Sequence, residues 1–142
     1  MKTPFRTLPC DVMRPDCPAR ALLSLLAEKW ALLLVHALSE GPMRTGALRR
    51  RVGGISEKML VQTLRRLESM QLVARHAYDE VPPHVEYRLT ELGWSLSPLV
   101  TALDSWVEEH AFDVPLTDSD AETSAETMRL TDHQDGQGEH RR

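Results

Sequence analysis

Seven basic side chains lie close together in the middle of this 142-residue chain. They fall between Arg44 and Arg66, a stretch with a single acid, Glu57, so its local charge is +6 while the whole chain carries -4. Lysine and arginine neutralise the phosphates of nucleic acid and donate hydrogen bonds to guanine, so such a cluster indicates binding to a polyanion. The seven are Arg44, Arg49, Arg50, Arg51, Lys58, Arg65 and Arg66.

The segment after a Gly-Gly pair predicts a helix with one apolar and one polar face. Ser56 suits the N-cap, since its hydroxyl can accept a hydrogen bond from an amide of the first turn. Leu60, Leu64 and Leu67 recur at helical spacing and predict the inward stripe. The other face offers groups that bind phosphate, guanine or adenine, although it also fits a helix that only contacts solvent. Its members are Ser56, Lys58, Gln62, Thr63, Arg65 and Arg66.

A shorter helix before the Gly-Gly turn completes the outline of a helix-turn-helix. After it, residues 72–78 and 84–89 are β-branched or aromatic with partial alternation, which predicts two strands. Pro82 and Pro83 between them cannot donate to a strand ladder, so we expect an antiparallel hairpin with a stiff loop. The predicted fold is therefore mainly α with a small β-hairpin wing, a winged helix-turn-helix.

Three further helices are predicted from leucine spacing and from their end signals. Pro18 suits the first position of a helix with Cys17 as its cap, and a second helix follows to Ser39. Thr90 should cap a long final helix, in which Pro98 is expected to produce a bend. The apolar side of that helix is longer than a small domain can cover, so we expect a helix of a second subunit to pack against it.

Charge and composition divide the chain into three parts. Residues 113–142 contain eight acids and three arginines, a balance of -5 that leaves +1 for the rest, and are predicted to be a disordered tail. Residues 1–16 contain three prolines and are expected to form an extended arm. Residues 17–112 are then the folded domain. Because no apolar run approaches the roughly 20 residues that span a membrane, we expect a cytoplasmic, nucleoid-associated protein.

Two cysteines offer a different chemistry from the basic cluster. A thiol at Cys17 would feel the positive end of its helix and the charge of Arg20, which favour the thiolate, while Asp16 opposes it. Cys17 could equally be a small capping residue in a subunit interface. Cys10 lies seven residues earlier, a spacing that does not favour a metal site. The chain also has no phosphate-loop, zinc-protease, nucleophile-elbow or dinucleotide motif of the kind that marks an enzyme. We therefore expect no enzyme, no metal and no cofactor.

Three motifs, in this order, resemble the HxlR-type winged helix-turn-helix transcriptional regulators of the MarR-like superfamily. They are C-P-A-R-A-L-L-S-L-L-A-E-K-W from Cys17, G-I-S-E-K-M-L-V-Q-T-L-R-R-L-E from Gly54 and E-V-P-P-H-V-E-Y-R-L-T-E-L-G from Glu80. The resemblance covers about residues 16–110. It implies a homodimer on a pseudo-palindromic operator in double-stranded DNA, expected to be a repressor, with a small-molecule or electrophile effector. The first and last helices would form the dimer interface, with Leu22, Leu25, Leu96, Leu99, Leu103 and Trp106.

The resemblance also assigns the parts that would contact DNA. Residues 56–66 match the recognition helix of the family and residues 79–85 match its wing. His84 stands where relatives commonly have arginine, so wing contact is expected to be weaker or pH-dependent. The expected DNA-binding residues are Arg44, Arg49, Arg50, Ser56, Lys58, Met59, Gln62, Thr63, Arg65, Arg66 and His84.

Cys17 matches an N-terminal cysteine with which members of the family sense oxidants or electrophiles. Some relatives pair it with a cysteine near the C-terminus of the second subunit, but this chain has no cysteine after Cys17. A disulfide would therefore join Cys17 to its counterpart in the second subunit, to Cys10 or to a small thiol.

The alternative to a DNA-binding regulator is a winged-helix module whose basic face binds an acidic protein.

Overall fold

Five helices and a three-stranded antiparallel sheet make up the residues that the computed structural model describes, residues 10–120. The predicted mainly α fold with a small wing is confirmed. Residues 1–9 and 121–142 lie outside the described residues, and with them most of the predicted arm and acidic tail. The elements are α1 Pro18–Leu26, α2 Lys29–Ser39, β1 Met43–Arg44, α3 Thr45–Arg51, α4 Glu57–Ser69, β2 Val73–Tyr78, β3 His84–Leu89 and α5 Glu91–His110.

The sheet has the order β1-β3-β2, with β3 in the centre. β2 and β3 form the predicted hairpin, in which Tyr78 pairs with His84 next to the loop. β1 was not predicted, because two residues are too few to show an alternating pattern. Its Met43 pairs with Tyr87 of β3, and this pairing connects the start of α3 to the wing.

A core of aliphatic side chains holds α2, α3 and α4 together. The predicted inward stripe of α4, Leu60, Leu64 and Leu67, is completely buried. Leu34 of α2 and Leu48 of α3 are buried with it. At about 25 cal/mol for each Å² of apolar surface removed from water, this burial is the main term that orients α4 against the domain.

The start of α5 is held against the turn that follows α4. The Thr90 amide donates to the Leu72 carbonyl at 3.1 Å, and the Thr90 hydroxyl donates to the Gln71 carbonyl at 2.6 Å. The same hydroxyl accepts from the Gly93 amide at 3.1 Å, so the predicted cap is confirmed. A Cβ on Gly93 would lie only 2.1 Å from the Leu72 oxygen, so this approach of helix to backbone requires glycine.

Two helices have apolar faces that their own subunit leaves uncovered. No residue of α1 is buried. On α5, Leu99 is 70% exposed and Trp106 54% exposed. Five of the six residues expected at the dimer interface are exposed in this way, whereas Leu96 is partly buried and packs against the core of its own subunit.

Within residues 10–120, no single helix is long and apolar enough to cross a membrane. α1 and α2 reach the required length and composition only when they are taken together, across a bend of 78°.

The described part of the acidic tail contains a hydrogen-bonded turn, where a disordered tail was expected. The Thr117 amide and hydroxyl both donate to the Asp120 carboxylate, at 2.9 and 2.6 Å, and residues 118–120 are helical. These hydrogen bonds lower the pKa of Asp120. A capping arrangement of this kind depends on two side chains three residues apart and not on an apolar period.

Substitution of Gly93 by alanine should destabilise the domain. The added methyl group cannot move away from the Leu72 carbonyl without separating α5 from the core, so we expect the free energy of unfolding to fall by about 2–3 kcal/mol. Urea unfolding followed by circular dichroism would measure it. Gly53→Ala is the matched control, because a Cβ there meets nothing within 4 Å. Equal stability of the two variants would contradict the close approach.

Candidate nucleic-acid interface

One face of α4 presents polar and basic side chains to solvent, as predicted. Lys58, Gln62 and Arg65 are all exposed, at spacings of four and three residues along the helix. The helix begins as expected, since the Ser56 hydroxyl accepts from the Met59 amide at 3.1 Å. Glu57 in the first turn suits the positive end of the helix dipole. α4 therefore presents cationic and amide groups along one side and its leucines along the other.

Thr63 does not belong to that face, and its prediction as an exposed residue is wrong. The side chain is completely buried, and its hydroxyl donates to the Met59 carbonyl at 2.8 Å. α4 packs against α2, α3 and β2, so its buried arc is wider than the leucine stripe suggested. Ser56 is 4% exposed and uses its hydroxyl in the cap, and Met59 packs partly against the core. These three residues support the helix from inside.

Ion pairs divide the basic cluster into compensated and uncompensated charges. Arg51 donates to both carboxylate oxygens of Glu40 and holds the pKa of that carboxyl below its ordinary value. Arg66 pairs with Glu28 at the start of α2. Arg49 lies 3.9 Å from Glu57, a longer contact between exposed groups. Arg51 and Arg66 are thus neutralised by the fold itself, and the predicted charge of +6 overstates what α3 and α4 present to a ligand.

Arg44, Arg50 and Arg75 share a cavity of about 550 Å³ between α3 and the wing. None of the three, nor Arg65, forms an ion pair with any residue from 10 to 120. Arg75 was missed, because a single arginine in a predicted strand carries no periodic signal. The fold brings it to the site through the sheet: Arg75 of β2 is opposite Tyr87 of β3, which is in turn opposite Met43, the neighbour of Arg44.

The His84 side chain packs within the wing. Its ring stacks on Tyr78, with 4.5 Å between centroids and 19° between planes. Its Nδ1 lies 3.6 Å from a carboxylate oxygen of Glu80, and only 15% of its side chain is exposed. The ring therefore has little surface with which to meet a ligand, although it borders the same cavity as the three arginines.

Cys10 and Cys17 are joined by a disulfide, one of the three pairings that the sequence left open. Their Cα atoms are 6.1 Å apart, and the bond closes a loop immediately before α1. Cys17 occupies the cap position but makes no capping hydrogen bond, while Arg14 and Asp16 form an ion pair inside the loop. No group of three or more potential ligands in residues 10–120 is arranged to hold a metal ion.

Comparison with known proteins gives a consistent set of relatives. The family model described as HxlR-like helix-turn-helix matches residues 25–114. The uncharacterized HTH-type transcriptional regulator YtfH of Escherichia coli is 49% identical over 98 residues, which are 69% of this chain and 78% of the relative. The putative transcriptional regulator ytfH from Salmonella typhimurium has a TM-score of 0.66 at 42% identity, over 72% of this chain and 92% of that one. Redox regulator HypR in its oxidized form has a TM-score of 0.61 at 38% identity, over 66% and 96%.

Proposed function

We propose that this chain, which belongs to the HxlR-like helix-turn-helix family of transcriptional regulators, binds a pseudo-palindromic DNA site as a homodimer and represses transcription. The observation that carries the proposal is the exposed basic face of α4 together with the cavity between α3 and the wing, whose arginines form no ion pair within residues 10–120. DNA binding would place the protein on the nucleoid, in the cytoplasm. The proposed domain is residues 17–112, close to the matched range.

α4 has the dimensions of a recognition helix. Its 13 residues extend for about 20 Å at 1.5 Å per residue, and a helix fits the major groove, which is about 12 Å wide. Lys58, Gln62 and Arg65 lie on one side of it and would reach the groove together. Arginine can bind guanine through two hydrogen bonds and glutamine can do the same with adenine, so these side chains would carry the sequence preference.

The arginines of the cavity would hold the phosphate backbone beside the groove. Arg44, Arg50 and Arg75 come from three different elements and converge on one space. Phosphate contacts position a protein on the duplex without reading its sequence. Arg49 would add a weaker contact, whereas Arg66 would contribute less than the sequence suggested because Glu28 already neutralises it.

The uncovered faces of α1 and α5 would meet their counterparts in a second subunit. Leu22 and Leu25 of α1 are 46% and 38% exposed, and Leu103 of α5 is 46% exposed. Burial of such side chains is the usual driving force for a stable subunit interface. Two copies related by a twofold axis would present two recognition helices to two half-sites about one turn of DNA apart.

A thiol switch is the proposed form of regulation. HypR, a structural relative, is a redox regulator, and in this chain the disulfide closes a loop onto the first turn of α1, a helix of the proposed interface. Oxidation of the two thiols releases two protons and two electrons, which an oxidant such as diamide takes up as it becomes a hydrazine. Opening and closing the Cys10–Cys17 loop would change how α1 begins, and with it the spacing of the two recognition helices.

Arg65→Ala should weaken binding to DNA far more than Arg66→Ala does. Both variants remove one charge from the same helix, but only Arg66 is paired with an acid. With a duplex selected from a random library by the wild-type protein, we expect Arg65→Ala to bind at least about tenfold more weakly. Fluorescence anisotropy at several salt concentrations should leave the slope of log affinity against log salt nearly unchanged, because the proposed contact of Arg65 is to a base and not to a phosphate. Wild-type affinity in Arg65→Ala, or no enriched palindrome, would contradict the proposal.

Leu103→Asp should convert the dimer to a monomer. The substitution places a carboxylate without a partner in the proposed apolar interface, where burial of an unpaired charge is strongly unfavourable. Light scattering after size-exclusion chromatography would report a halved mass. Ser105→Asp adds the same charge to another side of α5 and should leave the mass unchanged. A dimeric Leu103→Asp protein would place the interface elsewhere.

Diamide should lower the affinity of the wild-type protein for DNA, and either serine variant should abolish the response. Cys10→Ser and Cys17→Ser each remove one partner of the disulfide, so both should keep their reduced affinity after treatment. Anisotropy would measure binding, and a non-reducing gel would show the oxidised wild type as a single chain. A covalent dimer on that gel, or a response retained in Cys10→Ser, would contradict an intrachain switch.

A further inference from the structure

A second cavity, of about 260 Å³, lies where α2 and α5 meet the end of α3. It shares no residue with the basic cavity beside the wing. One part of its wall is aliphatic and another is charged, which is the composition of sites that bind small molecules. The aliphatic part is formed by Leu33, Ala37, Val52 and Val107, and the charged part by His36, Arg51, Asp104 and Glu108.

Carboxylates are in excess around this cavity. His36 Nδ1 donates to Asp104 Oδ2 at 2.6 Å, and this pair is largely shielded from solvent, with side chains 27% and 16% exposed. Arg51 is held by Glu40, whose hydrogen bond raises the pKa of the guanidinium, and Glu108 adds a smaller effect from further away. Asp104 and Glu108 line the cavity, whereas the guanidinium of Arg51 is already paired with Glu40, which lies outside the lining, so negative charge is in excess at the cavity wall.

Glu108 is the carboxylate best placed to meet a ligand. It borders the cavity and forms no ion pair with another residue in the range 10–120. At about 100° per residue, Glu108 lies roughly 150° around α5 from Leu103 and Trp106. The Glu108 side chain would therefore stay outside a second subunit packed on that exposed stripe.

We propose that this cavity binds a small organic cation, a protonated amine carried by a single ring. The ammonium group would lie between Glu108 and the Asp104 oxygen that His36 does not engage, and the ring would pack on Leu33 and Val107. The volume is sufficient, since an apolar cavity of about 150 Å³ holds benzene. An anion of the same shape would meet the same carboxylates and be repelled.

The position of the cavity gives a bound cation two points of contact with the rest of the domain. It would touch α5, a helix of the proposed dimer interface, and also Val52 and Gly53, which precede α4. Any effect of the cation on DNA affinity rests on the proposed function, because it requires that the protein binds DNA. Binding of the cation itself does not depend on the proposed function, because the cavity lies within one subunit.

Benzylamine is the probe for this site, with benzoate and benzyl alcohol as ligands of similar shape and different charge. Titration into the full-length ¹⁵N-labelled protein at fixed ionic strength should shift the amide signals of Leu33, Gly53 and Val107. Glu108→Gln should raise the dissociation constant for benzylamine at least fivefold. Glu109→Gln, the matched control, removes the same charge from the next residue of α5, which does not border the cavity, and should leave the constant unchanged.

Three results would overturn the proposal. Benzoate could bind as tightly as benzylamine, Glu108→Gln could retain the wild-type constant, or the shifts could fall on residues away from the cavity. The spectrum of Glu108→Gln without ligand should match that of the wild type, which separates loss of binding from loss of the fold. Because no DNA is present, failure of this experiment is distinct from failure of the proposed function.

Discussion

The contact between the start of α5 and the turn after α4 is the constraint on which the arrangement of the domain depends. Thr90 hydrogen-bonds the Gln71 and Leu72 carbonyls, and the missing side chain of Gly93 lets α5 approach that backbone. Gln71 adopts a positive φ of 58°, which ends α4 and reverses the chain into β2. The direction of α4 is thereby tied to the direction of α5. In the proposed dimer, the same contact would relate each recognition helix to the subunit interface.

Ion pairs with acidic residues determine which basic side chains of the surface keep an uncompensated charge. Glu40 and Glu28 neutralise Arg51 and Arg66, which are adjacent in sequence to arginines that form no ion pair among the described residues. Exposed ion pairs of this kind contribute little to stability, with a typical value of about 0–1 kcal/mol. Their larger effect here is on recognition, because they remove positive charge from two positions and leave it at others. The distribution of acids thus decides which cations a polyanion would meet.

The helices could be predicted from the sequence because the signals that begin them are local. Ser56 and Thr90 cap α4 and α5 through hydrogen bonds to amides three residues away, and Pro18 begins α1. Interactions over three or four residues are encoded in short stretches, so helices and caps could be predicted from type and spacing. β1 has only two residues and depends on a partner strand more than forty residues later. Such an element carries no local signal.

The sequence by itself determined the family, the order of helices and strands, and the basic character of the segment from Arg44 to Arg66. Tertiary structure alone decided that Thr63 is buried, that Arg75 joins Arg44 and Arg50, and that Arg66 is paired with Glu28. Periodicity gives the direction of a side chain relative to its own helix or strand. It does not say which other element packs there, because that depends on contacts between residues far apart in the chain.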